Sequence, residues 1–437
     1  MLIEFTVGNF RSFKDRATLS MVAANTKARD PQVNENNTVA TTDNLTLLTS
    51  MAIYGANASG KSNLIKALIF MRRLVLYSSK TTQTDEEIDV TPFRLNIVNE
   101  KKPSFFEMAF RLNEITYRYG FEVNSKKIVS EWLFYSPYGR EIRLFIRDGE
   151  DIKLSKDFKS DNAVKKLTRP NALFLSVASQ FNSEIASAVL GWFRSIGVIS
   201  GLDDMGYRGF TARKFSEDEK YRSEILSLIR SSDIDIDNVI AEKGKMSESL
   251  PQNIPQELRE FLITQNKGSD DIVNLRTTHK RFDAKGIPVS SIEFDLGDES
   301  EGTQKLFHMS GPIVDVLTNG KVLVVDEIEA RLHTFLTRKL IQLFNSQTTN
   351  PKRAQLIFAT HDTNLLSNKL FRRDQIWFVE KDSQSASHLY SLAELKVRND
   401  ASFENDYLQG IYGAVPMFEE MRQILVDINR DEKNDAE

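Results

Sequence analysis

The chain has no cysteine, which excludes disulfides and cysteine-ligated metal sites. It has no apolar run near the roughly 18 residues that a membrane span requires. Its first residues, "MLIEFTVGNFRSFKD", alternate like a strand and lack the basic, apolar and small-residue blocks of a secretory signal. Together these absences lead to the expectation of a cytoplasmic protein with no membrane association. There is no fixed-period repeat and no sustained heptad pattern. There is no large charge excess either: Lys and Arg number 57 against 61 Asp and Glu, a net charge of -4. That balance argues against a wholly basic nucleic-acid-binding surface and allows a local patch. What remains is an ordinary globular composition, 41% hydrophobic and 27% charged. At 437 residues, two domains or one domain with a large insertion are expected.

The most informative stretch is "YGANASGKSN", Tyr54 to Asn63. Gly55, Gly60, Lys61 and Ser62 fit the nucleotide-binding pattern G-x-x-x-x-G-K-[ST]. Glycines let such a loop bend until its backbone N–H groups converge on phosphate oxygens, and the next helix presents its positive end to the same anion. Lys61 would reach the β- and γ-phosphates, and the Ser62 hydroxyl would take a Mg²⁺ coordination position. The apolar run "SMAIY" precedes the loop, and "NLIKALIFMRRLVL" follows with helical spacing, so the context is strand, loop, helix. A chance match in a chain this long is an event of about a few per cent.

Along the chain, residues 1–156 carry strand-like segments rich in aromatic and β-branched residues, among them "SFFEMAFRL", "ITYRYGFEV", "EWLFYS" and "IRLFIR". Residues 23 to 45 and 76 to 90 read as loops. From 157 to 268 the pattern turns helical, as in "NALFLSVASQFNSEIASAVLGWFRSI" and "YRSEILSLIRSSD". Strand character returns at "PVSSIEFDL", and residues 269–437 alternate strands and helices. The division expected is a first lobe with the P-loop, an inserted mainly helical domain, and a second lobe.

The second lobe supplies partners for the P-loop. In "KVLVVDEIEARLH" an apolar strand ends in Asp326 and Glu327. At the carboxyl end of a buried parallel strand, Asp326 would hold Mg²⁺ through water and Glu327 would orient or deprotonate the attacking water. "AQLIFATHDTNLL" repeats the form and ends in Thr360 and His361, a histidine able to hydrogen-bond a γ-phosphate. "GDESEGTQKLF" offers Ser300, Gly302 and a helix start as a second anion site; taken alone, it is a capped helix beginning.

In this order the elements resemble those of ABC-type ATPases, in which a Ser-Gly segment reaches the nucleotide of a second subunit. "VGNFRSFKD" with "YGANASGKSN" looks like the start of the SMC/RecF branch, where Asn63 after Lys61-Ser62 is typical. More specifically, "TPFRLN", "ESEGTQ", "VVDEIEARLH", "FATHDTNLL" and "VRNDASFENDYLQGIYGAVP" resemble the AAA-type, ABC-like ATPases of bacterial phage-defence modules, the RloA and AbiL group related to OLD-family ATPases. The resemblance implies an α/β P-loop NTPase of ABC-ATPase type with a mixed sheet and an inserted helical domain. It implies ATP and Mg²⁺ as cofactors, held by Gly55, Asn57, Ala58, Ser59, Gly60, Lys61, Ser62 and Asn63, with Ser300 and Gly302 from the Ser-Gly segment. Ser62 and Asp326 would serve the metal, and Glu327 and His361 the chemistry. A homodimer or larger homo-oligomer is implied, with an effector nuclease usually encoded beside it. The chain departs from the ABC pattern in two places. No Q-loop glutamine follows the P-loop helix, and Glu301 stands where transporters have glycine.

Three function classes compete. One is an ATPase that senses phage infection or regulates an effector; no HNH-type or Toprim-type cluster accompanies the ATP motifs. Another is a DNA-binding repair ATPase of RecF/SMC type, for which Arg140, Arg143, Arg147, Lys153, Lys156 and Lys159 are candidate phosphate contacts, although acids interrupt them and a solvated face explains them as well. A transporter subunit fits neither the helical insertion nor the SMC-like P-loop.

Overall fold

The computed structural model describes residues 1–415 apart from 43–44, 81–82, 84–85, 138, 160–161, 233–234, 246–254, 258–270 and 399–400. The loops expected at 23–45 and 76–90, the helical stretch 157–268 and the late motif therefore lie partly outside the described residues, with Asn399, Asp400 and Pro416 among those omitted. The fold is α/β, with both antiparallel and parallel strand pairing. The chain divides into two compact units, one made of Leu2–Phe193 with His361–Glu437, the other of Arg194–Thr360 with Met1.

The first unit holds a seven-stranded sheet in the order Asp151–Leu154, Ile142–Asp148, Ile128–Ser136, Ile115–Val123, Ser104–Leu112, Leu2–Gly8, Ala17–Ser20. Every pairing in it is antiparallel. Period-two alternation builds one apolar face: Phe106, Met108 and Phe110 are buried, as are Tyr117, Tyr119 and Phe121 on the neighbouring strand. The turn joining those strands is Asn113-Glu114, both left-handed at φ 48° and 63°, which matches the twist of a two-residue hairpin. Arg111 fastens it by pairing with Glu114 at 2.8 Å.

Two helices cover the apolar face. Phe70, on helix Lys61–Tyr77, meets Phe106 with ring centroids 4.9 Å apart. Trp192, on helix Glu184–Ser195, stacks on Phe110 at 3.8 Å. The P-loop strand Ser50–Tyr54 is buried at all five positions. It pairs in parallel with Ile376–Lys381, whose other edge pairs antiparallel with Ser387–Ser391.

In the second unit the strands Ile196–Ser200, Val322–Asp326 and Gln355–Ala359 run parallel, with Val322–Asp326 in the middle. A strand flanked on both edges and covered on both faces reads as a continuous apolar run, which is why "VLVV" does not alternate. An antiparallel ribbon of Asn238–Lys245, Asp271–Phe282 and Pro288–Asp295 accompanies it. Helices Met205–Glu217, Glu219–Arg230 and Glu301–Asn319 gather Phe215, Tyr221, Ile225, Phe307 and Val314 into a core. The last of these helices ends at Gly320, φ 64°, a left-handed cap that glycine takes without strain.

One buried ion pair sits across the first unit's sheet. Glu131 and Arg147 face each other on neighbouring strands with N···O at 3.7 Å, and both side chains are almost fully enclosed. Glu131 accepts hydrogen bonds from the Phe174 and Leu175 amides at 2.7 and 3.0 Å and from the Tyr119 hydroxyl at 3.0 Å. Arg147 donates to the carbonyls of Gly149 and Ala172 at 2.7 and 2.6 Å. Burial raises the Glu131 carboxyl, and Arg147 with these donors opposes that rise. Glu131→Ala would strand a buried guanidinium and two amides, and should cost about 3–5 kcal/mol in urea unfolding of the full chain. A loss below about 1 kcal/mol would mean that the pair contributes no more than a surface contact.

Candidate nucleotide site

The P-loop is shaped by what its glycines leave out. Gly55 has φ 155° and Gly60 φ 123°. A Cβ on Gly55 would collide with the Val379 carbonyl and come within 2.7 Å of Ser59 Oγ, and one on Gly60 would lie 2.9 Å from Ser12 Oγ. Ala58 between them is itself left-handed at φ 61°, strain of the kind that a functional loop holds in place. Ser387 Oγ donates to the Ser59 carbonyl at 2.5 Å, and Asn63 Nδ2 donates to Ser12 Oγ at 2.9 Å. Asn63 thus braces the loop from outside.

The loop is prepared for an anion. Helix Lys61–Tyr77 starts with no side-chain cap and no acidic residue in its first turn, so its leading amides and dipole remain available. Lys61 is buried and donates from Nζ to the carbonyls of Gly55 and Ala56 at 2.7 and 3.1 Å. Ser59 Oγ is buried with no hydrogen-bond partner among the described residues. Asn57 and Ala58 are exposed, and Ser62 is half-buried at the helix start. This donor set fits a nucleotide's phosphates.

In the second unit, Asp326 closes the central strand and has Oδ1 buried without a hydrogen-bond partner among the described residues. Such an oxygen suits a hydrated cation. Glu327 follows at φ 54° and Arg331 at φ 63°, two left-handed residues in one short loop. The loop is held by the Ile328 amide donating to the Ala359 carbonyl at 3.2 Å and by the Gly201 amide donating to the Asp326 carbonyl at 2.6 Å. Gly201 has no room for a Cβ, which would overlap the Glu327 carbonyl.

Ser300 is the N-cap of helix Glu301–Asn319. Its Oγ accepts from the Thr303 amide at 3.1 Å and meets Thr303 Oγ1 at 2.8 Å. The capped helix start expected of this segment by itself is therefore present. Gly302 brings it against the Asp326 loop, since a Cβ there would lie 3.1 Å from the Arg331 carbonyl. Glu301 pairs with Arg331 at 3.5 Å between exposed side chains. Thr360, at the end of the second unit, is fully buried; His361, in the first, is exposed.

Sequence reasoning did not find the polar cluster under helix Glu301–Asn319. Lys305 is buried and donates from Nζ to the Gly201 carbonyl and, at 2.9 Å, to Tyr207 Oη; burial pulls its ammonium down to about 8. His308, fully buried, bonds through Nδ1 to Asp204, and burial lowers its pKa against that carboxylate's pull. The signal available was a lysine and a histidine within "KLFHMSGPIV", the stretch of this helix that is buried throughout. Of the basic residues considered for DNA, Arg147 is withdrawn into the interior and Lys153 pairs with Asp151 at 3.1 Å.

With this geometry in place, comparison with known proteins identifies the family. Residues 50–367 match the family described as "AAA domain, putative AbiEii toxin, Type IV TA system". The chain belongs to this AAA family. No curated protein matches it. Among solved structures, the chain is similar to an Smc head bound to the C-winged helix domain of ScpA, at 12% identity and TM-score 0.45, covering 89% of this chain and 97% of that one. It is also similar to an Smc head with an extended coiled coil from Pyrococcus furiosus bound to the C-terminal domain of ScpA, at 13% identity and TM-score 0.37, covering 94% and 99%. A third similarity is to the recombination mediator RecF with ATP, at 12% identity and TM-score 0.33, covering 89% and 97%. Among the described residues no helix is long and apolar enough to cross a membrane.

Gly201 offers a direct check on the Asp326–Glu327 loop of this AAA protein. Gly201→Ala must push the Glu327 carbonyl away or break the Gly201 amide's bond to Asp326, and should destabilise by about 1–3 kcal/mol. Thermal unfolding measures it. A variant that melts with the parent would show a loop that yields without cost.

Proposed function

We propose that the chain binds and hydrolyses ATP, and that ATP-dependent pairing of two copies senses phage infection or switches an associated effector nuclease in antiviral defence. The observation that carries the ATP reading is the buried Lys61 ammonium, resting on the Gly55 and Ala56 carbonyls at the open N-terminus of its helix. Neutral carbonyls are weaker partners for a cation than phosphate oxygens are. Lys61 would exchange them for the β- and γ-phosphates, while the loop amides and Ser59 Oγ donate to the same anion. Ser62 and Asp326 would hold Mg²⁺, which when bound neutralises charge on the phosphates. Glu327, fixed by its left-handed backbone, would orient the attacking water and take its proton. His361 would donate to the γ-phosphate.

The family match supports an AAA ATPase; defence and effector control come from the motif resemblance. Pairing rests on the order of the motifs and on Ser300, an exposed hydroxyl at an exposed helix start. A second copy's γ-phosphate would draw that hydroxyl and the neighbouring amides outward, a contact that hydrolysis removes. Residues 157–268 we read as an insertion within this ATPase.

Two experiments test the reading. Glu327→Gln should keep ATP affinity within about threefold and lower turnover at least about a hundredfold, since only a transition-state contact is lost; turnover at the parent rate refutes the assignment. For the pairing, Lys61→Ala and Ser300→Arg should each be inactive alone. Mixed, they form one composite site with intact Lys61 and Ser300, so partial ATPase should return. No recovery in subunits shown to mix would favour hydrolysis within single subunits.

A further inference from the structure

Lys305 is a cation that the fold encloses among neutral oxygens. Its side chain lies in the fully buried stretch of helix Glu301–Asn319 and the residue is 3% exposed. Among the described residues its acceptors are the Gly201 carbonyl, Tyr207 Oη at 2.9 Å and the Ser200 carbonyl at 3.4 Å. Burial pulls the ammonium down to about 8 even though Asp203 and Asp204 raise it. A methionine of similar length would fill the same space without that penalty. Packing alone therefore does not account for a lysine here.

The acceptors show what the charge holds. Ser200 ends a strand parallel to Val322–Asp326 and stands in register with Asp326. The Ser200–Gly201 peptide faces two ways. Its carbonyl accepts from Lys305 and, at 3.1 Å, from Tyr207 Oη, while its N–H donates to the Asp326 carbonyl at 2.6 Å. A cationic donor at the carbonyl polarises that peptide and strengthens what its N–H donates. Gly201 also lies so near the Glu327 carbonyl that no Cβ fits between them. Through one peptide, Lys305 thus grips the backbone that carries Asp326 and Glu327. The grip comes from the helix that Ser300 caps, and Gly302 of that helix lies against the Arg331 carbonyl farther along the same loop. All of these residues belong to the second unit.

We infer that Lys305 is a positioning residue for Glu327: its ammonium holds the Ser200–Gly201 peptide against the Asp326–Glu327 backbone and so fixes the Glu327 carboxylate relative to the Ser300 helix. The inference rests on the reading of Glu327 as the group that orients the attacking water. Lys305 acts on the rate through backbone geometry, whereas the phosphates are held by the P-loop. Its removal should lower kcat and leave KM in place.

The test is Lys305→Met in the full chain, read in two ways. Without nucleotide, hydrogen exchange at the Gly201 amide should quicken by about tenfold or more, because its bond to Asp326 loses the cation behind it. With MgATP, kcat should fall by about tenfold or more while KM stays within about twofold. In the Glu327→Gln background the same change should slow turnover by less than about twofold further, since nothing remains to be positioned. A lysine that served packing alone would slow both backgrounds equally. Tyr207→Phe removes only the hydroxyl that shares the Ser200 carbonyl with Lys305. It should give the same signs at smaller size, and it serves if Lys305→Met does not fold. Unchanged Gly201 exchange, unchanged kcat, or equal slowing in both backgrounds overturns the inference. Parent-rate turnover by Glu327→Gln is instead a failure of the underlying reading; the exchange result, obtained without nucleotide, still decides whether Lys305 holds the Gly201 peptide.

Discussion

The Lys61 ammonium lies buried against the carbonyl oxygens of Gly55 and Ala56, where the first amides of its helix meet no capping side chain. Holding a cation beside the positive end of a helix dipole is unfavourable by itself. The surrounding architecture makes it possible. The fully buried strand Ser50–Tyr54 fixes where the loop begins, and the contact of Phe70 with Phe106 fixes the helix that follows. Between these anchors the chain must turn through positions where a Cβ would strike the Val379 carbonyl or Ser12 Oγ. Glycine at 55 and 60 answers that demand. The result is a curved loop which, on the proposed reading, an anion would occupy.

Buried polar atoms elsewhere give a contrast to these positions. Glu131 is enclosed, yet its carboxylate oxygens meet two amides and a hydroxyl. Arg372 is enclosed and fully engaged by Asp374, Asn34 and Ala24. The same fold leaves Ser59 Oγ and Asp326 Oδ1, along with His308 Nε2 and Thr337 Oγ1, without hydrogen-bond partners among the described residues, each at a cost of about 1–3 kcal/mol. On the proposed reading the serine and the aspartate would each meet a ligand, a phosphate for Ser59 and a hydrated cation for Asp326.

Much of this was legible in the sequence, and the parts that were not share a cause. The strands Ser104–Leu112 and Ile115–Val123 follow from alternation alone, and the helix after the P-loop from its spacing. These are local patterns. Strand Ile196–Ser200 is different: it has five residues, follows directly on helix Glu184–Ser195, and is defined by pairing with Val322–Asp326 far along the chain. Arg147 reads as part of a basic run until its register is known; it falls in phase with buried Phe145, directly across from Glu131. The partners of Lys305 and His308 are likewise about a hundred residues away, at Gly201 and Asp204. Charge in a sequence marks a polar group, whereas only long-range contacts decide whether that group faces water or another charge.

The late motif shows how a segment can be legible as a pattern while its role is not. The family match ends at residue 367, so the motif lies beyond it, yet its aromatic residues pack on the P-loop strand's own layer. Tyr407 stacks on Phe378 with centroids 5.4 Å apart and meets Tyr54 at 6.0 Å. Its hydroxyl donates to the Ala414 carbonyl at 3.0 Å, and the Ala414 amide donates to Glu380 at 2.9 Å. Gly413, at φ 71°, lets the chain curl tightly enough to close this knot, and a Cβ there would stand 2.6 Å from Glu380. Phe378 and Glu380 belong to the strand paired with Ser50–Tyr54. The motif is thus clamped onto the strand that launches the P-loop. Packing of this density transmits displacement rather than absorbing it, so a shift of the Tyr54 strand is constrained to move the aromatic knot with it.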